Sequence, residues 1–301
     1  MVNPSLLIAI SSGGDNAELA EQGIGMDHVE EMSVRLSRRL LSDGHRLAWG
    51  GTLGDPNQRL TMRLIDSAHQ WLDENAASQV DVTKPDTWPL LNYSAWDLYK
   101  SISDEQINKL VGICNFVKID PPSVAEAELL GTLEPGRATR LRSDALTAMR
   151  KLTSAKADLR IVFAGRIRGA KGWMAGILEE VVCSLELGKP IIIIGGFGGC
   201  SRLIADYLSD LKALWPEQLN LAASADPVRD ATLTVDERDQ LNQRMGRARE
   251  LLSEYRTSLH TKAHVGGVSS AELLEVLPSA NENAREIINV CASIAKKLCD
   301  T

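Results

Sequence analysis

The chain is predicted to be an α/β protein: a doubly wound, mostly parallel sheet with helices on both faces and a helical region at its C-terminus. Three observations predict this. Short apolar, β-branched runs alternate with segments of helical period, the pattern of strands joined by helical crossovers. A glycine-rich loop follows three of the runs, at 50–54, 165–176 and 195–199. From about residue 216 the strand pattern ends and a charged helical pattern replaces it. The expected division is a nucleotide-binding core over 1–215 and a C-terminal helical region over 216–301, packed on the same domain.

Taken in order, Leu6–Ile10 reads as the first strand, ending in Ser11-Ser12-Gly13-Gly14. Asp27 and Glu30 have capping-box spacing for a helix carrying Val29, Met32, Leu36 and Leu40 on one face. Asp43-Gly44 closes it and Arg46–Trp49 is the second strand. The turn Gly50-Gly51-Thr52-Leu53-Gly54 leads into a helix from about Pro56 to Trp71, with proline in the first turn where its missing N–H costs nothing. Pro89–Tyr93 and Phe116–Ile119 are the third and fourth strands. Ala138–Ala155 is a long helix with Leu141, Ala145, Ala148 and Leu152 inward. Arg160–Ala164 reads as a strand covered on both faces. After its glycine loop, Ile177, Val181 and Leu185 share a helix face, Gly188-Lys189-Pro190 stops that helix, and Ile191–Ile194 is the next strand. Val235–His260 is a charged helix with Leu241, Met245, Ala248, Leu252 and Tyr255 on one face. Gly266-Gly267 breaks the pattern, and Ser279–Leu298 closes the chain as a helix.

The composition narrows the function classes. With 301 residues and 44% hydrophobic content the chain can bury a large core. Its 33 basic and 40 acidic residues give a net charge of −7 without a basic block, which argues against nucleic acid as a partner. No apolar run approaches the roughly 20 residues needed to span a bilayer, so the expectation is a cytoplasmic protein with no membrane partner. The five cysteines lack CxxC spacing and the five histidines lack metal-ligand spacing, so neither a metal nor a cofactor is expected. No GxSxG elbow or Walker motif is present.

The chemistry concentrates at the glycine loops. Gly165, Gly169, Gly172 and Gly176 let the backbone approach a ligand and aim N–H groups at an anion, and Arg166, Arg168 and Lys171 add cations beside them. Gly50, Gly51, Thr52 and Gly54 form a second cradle, with Ser11 and Gly13 on the neighbouring strand end. Gly196, Phe197 and Gly198 either close the pocket or only shape a turn. Glu179 and Glu180 open a helix next to the main loop. They point about 100° apart, so one of the two reaches a ligand. A carboxylate there can accept from ribose hydroxyls or stabilise an oxocarbenium-like centre. Arg142 and Arg150 sit on the preceding helix, either as solvated cations or at the ligand edge.

The segment GWMAGILEEVVCSLELGKP resembles the PGGxGTxxE loop of the SLOG superfamily. That Rossmann-like group joins the LONELY GUY phosphoribohydrolases, the DprA/Smf proteins, the ligand-binding N-terminal region of melastatin-type channels, and bacterial sensors associated with TIR and Sir2 effectors. Gly176-Ile177-Leu178-Glu179-Glu180 falls where the family has G-T-x-x-E, which makes Glu180 the counterpart of its acid. Arg150-Lys151 resembles the upstream Arg-Lys pair, and Gly50-Gly51-Thr52 the turn after the second strand. The combination of AGRIRG, GILEE and GGFGG looks closest to the sensor groups. Two departures weigh against hydrolysis: Ala164-Gly165-Arg166 replaces Pro-Gly-Gly, and Ile177 replaces the family's threonine.

The resemblance implies a binding protein for an ADP-ribose-like or NAD-derived signalling nucleotide in a bacterial defence or conflict system. Such a sensor reports to an effector protein or through assembly as a homo-oligomer. Two alternatives stay open. One is an N-glycosidic hydrolase, phosphoribohydrolase or NAD-cleaving, with Glu180 and Arg150 as catalytic residues. The other is a scaffolding subunit with a vestigial site.

Overall fold

The computed structural model describes residues 5–51, 59–75, 80–121, 123, 124, 128, 130–220, 226–278 and 283–300. Thr52, Gly54 and the expected helix start at Pro56 lie outside them, as do residues 279–282 at the start of the expected closing helix.

Six parallel strands form one sheet: β1 Leu7–Ser11, β2 Arg46–Trp49, β3 Leu90–Ala95, β4 Cys114–Ile119, β5 Leu159–Phe163 and β6 Ile191–Ile194. Their order is β4-β3-β2-β1-β5-β6. The chain adds strands outward on one side of β1, then returns to place β5 on its other side. The C-terminal ends of β1 and β5 therefore flank a topological switch point, the crevice where open α/β sheets take ligands. Register there is set by Ala9 opposite Arg160 and Ser11 opposite Val162, with Arg160 opposite Ile191 on the far side.

The helices of the core are α1 Asn16–Ala20, α2 Met26–Ser42, α3 Arg59–Glu74, α4 Trp96–Tyr99, α5 Asp104–Lys109, α6 Pro135–Lys156, α7 Gly176–Glu186 and α8 Gly199–Ser209. Period-two alternation along β1 divides the packing between the faces. Ile8 and Ile10 join Val29, Met32 and Leu36 of α2 in the larger cluster, while Leu7 and Ala9 pack with Leu91, Tyr93 and Met149 of α6. Beyond the sheet come α9 Pro227–Asp230, α10 Val235–Thr261, the hairpin β7 His264–Val265 and β8 Val268–Ser269, α11 Ser270–Val276 and α12 Ala284–Cys299. Met245, Ala248, Leu252 and Tyr255 of α10 belong to the larger cluster, and Tyr255 donates its hydroxyl to Ile191 O at 3.2 Å.

Several boundaries differ from the sequence expectation for local reasons. The helix α2 is capped by Gly25, whose N–H donates to His28 Nδ1 at 3.1 Å, so Asp27 sits inside the first turn instead of capping it. The helix α6 begins at Pro135, because Glu134 caps the amides of Gly136 and Arg137. Gly266-Gly267, expected as a break, is the two-residue turn of the β7–β8 hairpin, with φ of +59° and +83°. Among the described residues no helix is long and apolar enough to cross a membrane. No group of metal-ligating side chains occurs among them either.

The end of β5 is bound tightly to the start of α8. Ala164 has φ +55° and Gly165 φ +93°, and their carbonyls accept from Ser201 N and Cys200 N at 2.8 Å each. A Cβ on Gly199 would lie 2.2 Å from Gly165 O, whereas one on Gly169 meets nothing within 4 Å. Both glycines have φ +61°. Gly169→Ala is therefore expected to cost about 1–2 kcal/mol from backbone strain alone, and Gly199→Ala distinctly more. Urea denaturation of the two variants checks the order. Burial also pushes the thiols of Cys183, Cys200 and Cys291 up to about 12. At pH 8 these three are expected to resist alkylation in the folded chain and to react once it is unfolded, as counted by mass spectrometry.

Candidate functional site

An arginine stands in the middle of an apolar parallel strand. Arg160 is 2% exposed, between Leu159 and Ile161 of β5. Burying a guanidinium costs several kcal/mol unless its donors are met. Three elements meet them. Nε donates to Ser184 Oγ of α7 at 2.9 Å and Nη2 to Ser154 Oγ of α6 at 3.0 Å. Nη1 donates to Ser11 Oγ of β1 at 2.7 Å and to Glu180 Oε2 of α7 at 3.0 Å. The spacing follows from the elements: Ala9 faces Arg160, so Ser11 two residues on shares its face, and Glu180 and Ser184 lie one turn apart.

A second pair interlocks with the first. Arg150 Nη1 is bonded to Glu179 Oε2, while Thr147 Oγ1 donates to Glu179 Oε1 at 2.5 Å. Arg150 Nε lies 3.7 Å from Glu180 Oε1, a buried donor without a hydrogen-bond partner. The result is a quartet of two arginines and two glutamates with no net charge. Burial lowers the pKa of Arg160, with Glu180 opposing. For Arg150 burial also acts downward, but Glu179 and Glu180 outweigh it and hold its pKa above the ordinary value. Guanidinium stays protonated either way.

Glu180 opens onto a cavity at the switch point. Ile10, Ser11, Trp49, Gly50, Arg150 and Arg160 share its walls with Glu180. Its volume is about 10 Å³, room for one water. Asn92 fixes the adjoining turn by donating to Gly51 O at 3.1 Å.

The structure brings Ser11, Gly50, Arg150 and Glu180 together here, with Glu179 behind them. Gly51 is packed beside Trp49 and Thr61. Gly13 accepts from Gly165 N at 2.7 Å, joining the ends of β1 and β5. The loop 170–176 is packed, with Ala170, Trp173, Met174 and Ala175 buried. A Cβ on Gly172 would lie 2.4 Å from Arg150 Nη1, and one on Gly176 2.9 Å from Nη2. These two glycines make room for a guanidinium of the protein itself. Arg166, Arg168, Gly169 and Lys171 lie on the exposed stretch of that loop. Arg142 is elsewhere, half exposed and 3.7 Å from Asp97. Phe197 is fully buried against Phe163, with centroids 5.4 Å apart. A Cβ on its neighbour Gly198 would lie 2.8 Å from Gln22 Cγ. Gly196 is half-buried in the same turn.

Sequence reading missed Arg160 and two of its serine partners, Ser154 and Ser184. The signal was present: a cation inside a strand otherwise made of Leu, Ile, Val and Phe needs a buried counter-charge. Arg160→Met would leave Glu180 short of its nearest cation, and a cost of about 3–5 kcal/mol is expected. Adding Glu180→Gln to that variant should recover part of the loss, as read by a double-mutant cycle in urea.

A family model described as SLOG cluster2 matches residues 3–264. No curated protein matches the chain.

Proposed function

The chain belongs to the SLOG cluster2 family, a nucleotide-related Rossmann-like group, and from that premise we propose that it binds an ADP-ribose-like or NAD-derived signalling nucleotide in a bacterial defence system. The observation that carries this reading is Glu180, a carboxylate oriented by Arg160 and facing the crevice between the ends of β1, β2 and β5. Its ion pairing makes it an acceptor, suited to ribose hydroxyls. Ser11 and Gly50 flank it, one supplying a hydroxyl and the other a backbone that a sugar can approach.

Nucleotide-sized pockets are about 300–1,000 Å³, so the cleft must widen on binding. Widening is the kind of change a sensor can pass on. The signal then travels to an effector protein or to a second copy of this chain through the C-terminal helices.

Saturating ADP-ribose is expected to raise the melting temperature by roughly 2–4 °C. Glu180→Gln should lose that shift relative to its own melting point, and Arg142→Ala should keep it. Base released from NAD or nucleoside monophosphates by the wild type, and not by Glu180→Gln, would replace the sensor with an N-glycosidic hydrolase.

A further inference from the structure

The helices α6 and α10 turn matching stripes toward each other. Arg137, Leu141 and Asp144 recur on α6 at i, i+4 and i+7, and Glu237, Leu241 and Arg244 recur on α10 at the same spacing. That spacing puts each set on one helix face, where a packed pair of helices carries apolar residues throughout. Here one leucine stands in each stripe and charged side chains take the other places. The two faces do not close. A cavity of about 170 Å³ lies between them, lined by these six residues together with Arg140 and Trp173.

The deep side of this cavity is apolar and fixed. Trp173, Leu141 and Leu241 are buried, whereas Arg137 and Arg244 are exposed. Trp173 Nε1 donates to Asp144 Oδ1 at 2.7 Å, and the Arg229 guanidinium lies over the indole, 4.7 Å from the ring centroid. Arg229 Nη1 in turn donates to Gly172 O at 2.6 Å. The indole is held from two directions before any ligand arrives.

The polar side leaves donors over. Asp144 is engaged by Trp173. Glu237 accepts from Arg140 Nη1 at 2.8 Å on both oxygens, and from Thr234 N at 2.8 Å. Arg140 Nε is a buried donor without a hydrogen-bond partner, and Arg244 enters no hydrogen bond or ion pair among the described residues. Three arginines face two carboxylates around the cavity, an excess of one positive charge. One ion pair is enough to tie α6 to α10, and it accounts for neither the open space nor Arg244. A guanidinium with an unmet edge is suited to a planar or tetrahedral oxyanion.

We infer that this cavity is a binding site for a small organic anion, its carboxylate or phosphate held by Arg140 and Arg244 and its apolar body resting on Trp173 and Leu241. The volume is below the roughly 300 Å³ at which pockets for drug-sized ligands begin, so the body is no larger than a single ring. The inference does not rest on the nucleotide reading, because the cavity shares no lining residue with the crevice at Glu180.

Benzoate and phenyl phosphate are the probes. Each is titrated at low salt into the isotope-labelled full chain while the indole N–H signals of its six tryptophans are followed by NMR. Trp173 lines the cavity and Trp49 the crevice, so their signals, assigned from Trp173→Phe and Trp49→Phe, report the two places separately. With at least one probe the Trp173 signal should shift saturably, at a Kd of about 1 mM or below, while the Trp49 signal stays. The tighter probe tells a carboxylic acid from a phosphate monoester. Arg140→Met should weaken binding at least about tenfold. Arg244→Glu, at an exposed position that leaves the fold alone, should weaken it at least about fivefold. Absence of a saturable Trp173 shift with either probe up to about 10 mM overturns the site. So does a shift confined to Trp49, or one that both arginine variants leave unchanged. Inorganic phosphate binding as tightly as phenyl phosphate overturns the apolar seat, and with it the organic ligand.

Discussion

The ion pair between Arg160 and Glu180 is the constraint around which the crevice is built. A guanidinium in the second position of a buried parallel strand must find its donors' partners from whatever elements cover that face. Ser154, Ser184 and Ser11 supply three, and Glu180 supplies the charge. That requirement fixes how α6 and α7 lie on the sheet, because each must bring a small hydroxyl to a particular depth. It also fixes the first turn of α7, where Glu180 has to point inward with Glu179 beside it. Glu179 then needs its own counter-charge, which Arg150 and Thr147 provide. Gly172 and Gly176 follow in turn, since a side chain at either would collide with the Arg150 guanidinium.

Buried charge is a poor way to gain stability, because apolar residues of similar volume usually do as well. A neutral quartet is costly to dismantle yet not required by the sheet. Its consequence is orientation: Glu180 is bonded by Arg160 at Oε2 and faced by Arg150 at Oε1, in the wall of the crevice. Such preorganisation is worth its desolvation cost at a binding site, where a freely rotating carboxylate would lose entropy on every encounter.

Most of the sheet was legible because its strands are short, β-branched runs between turn signals. Arg46–Trp49 and Ile191–Ile194 fall where the pattern places them, and the other strands shift by one or two residues. Helix ends shifted where a cap lay outside the apolar period, as Glu134 does for α6. The acid at 180 and the arginine at 150 stood out by their place beside the glycine loop. What the loop's glycines were for did not stand out. Absence of a side chain reads alike whether the space admits a ligand or, as at 172 and 176, a residue from another helix. Arg160 escaped notice for the opposite reason: four apolar neighbours in β5 outweigh one charge in any pattern of hydrophobic period. The hydrogen bonds from the amides of Ile167 and Arg168 to the Glu18 carboxylate join residues 149 and 150 apart, and no local pattern reveals them.

The departures from the family's loop fit this arrangement. Where the hydrolases of the superfamily resemble one another in a threonine, this chain has Ile177, 6% exposed and within the main core cluster. A Cβ on Gly165 would lie 2.3 Å from Ile177 Cγ1, so the glycine and the isoleucine fit together as an apolar contact. No hydroxyl at that position can hold a phosphate. The neutral quartet cannot hold one either, since each of its cations faces a carboxylate. The backbone amides of Ile167 and Arg168 and the exposed Arg166, Arg168 and Lys171 stand apart from the quartet, on the outer side of the same loop. Both arginines of the quartet are thus committed inside the protein, and what faces the crevice is the carboxylate of Glu180 with Ser11 and Gly50 beside it.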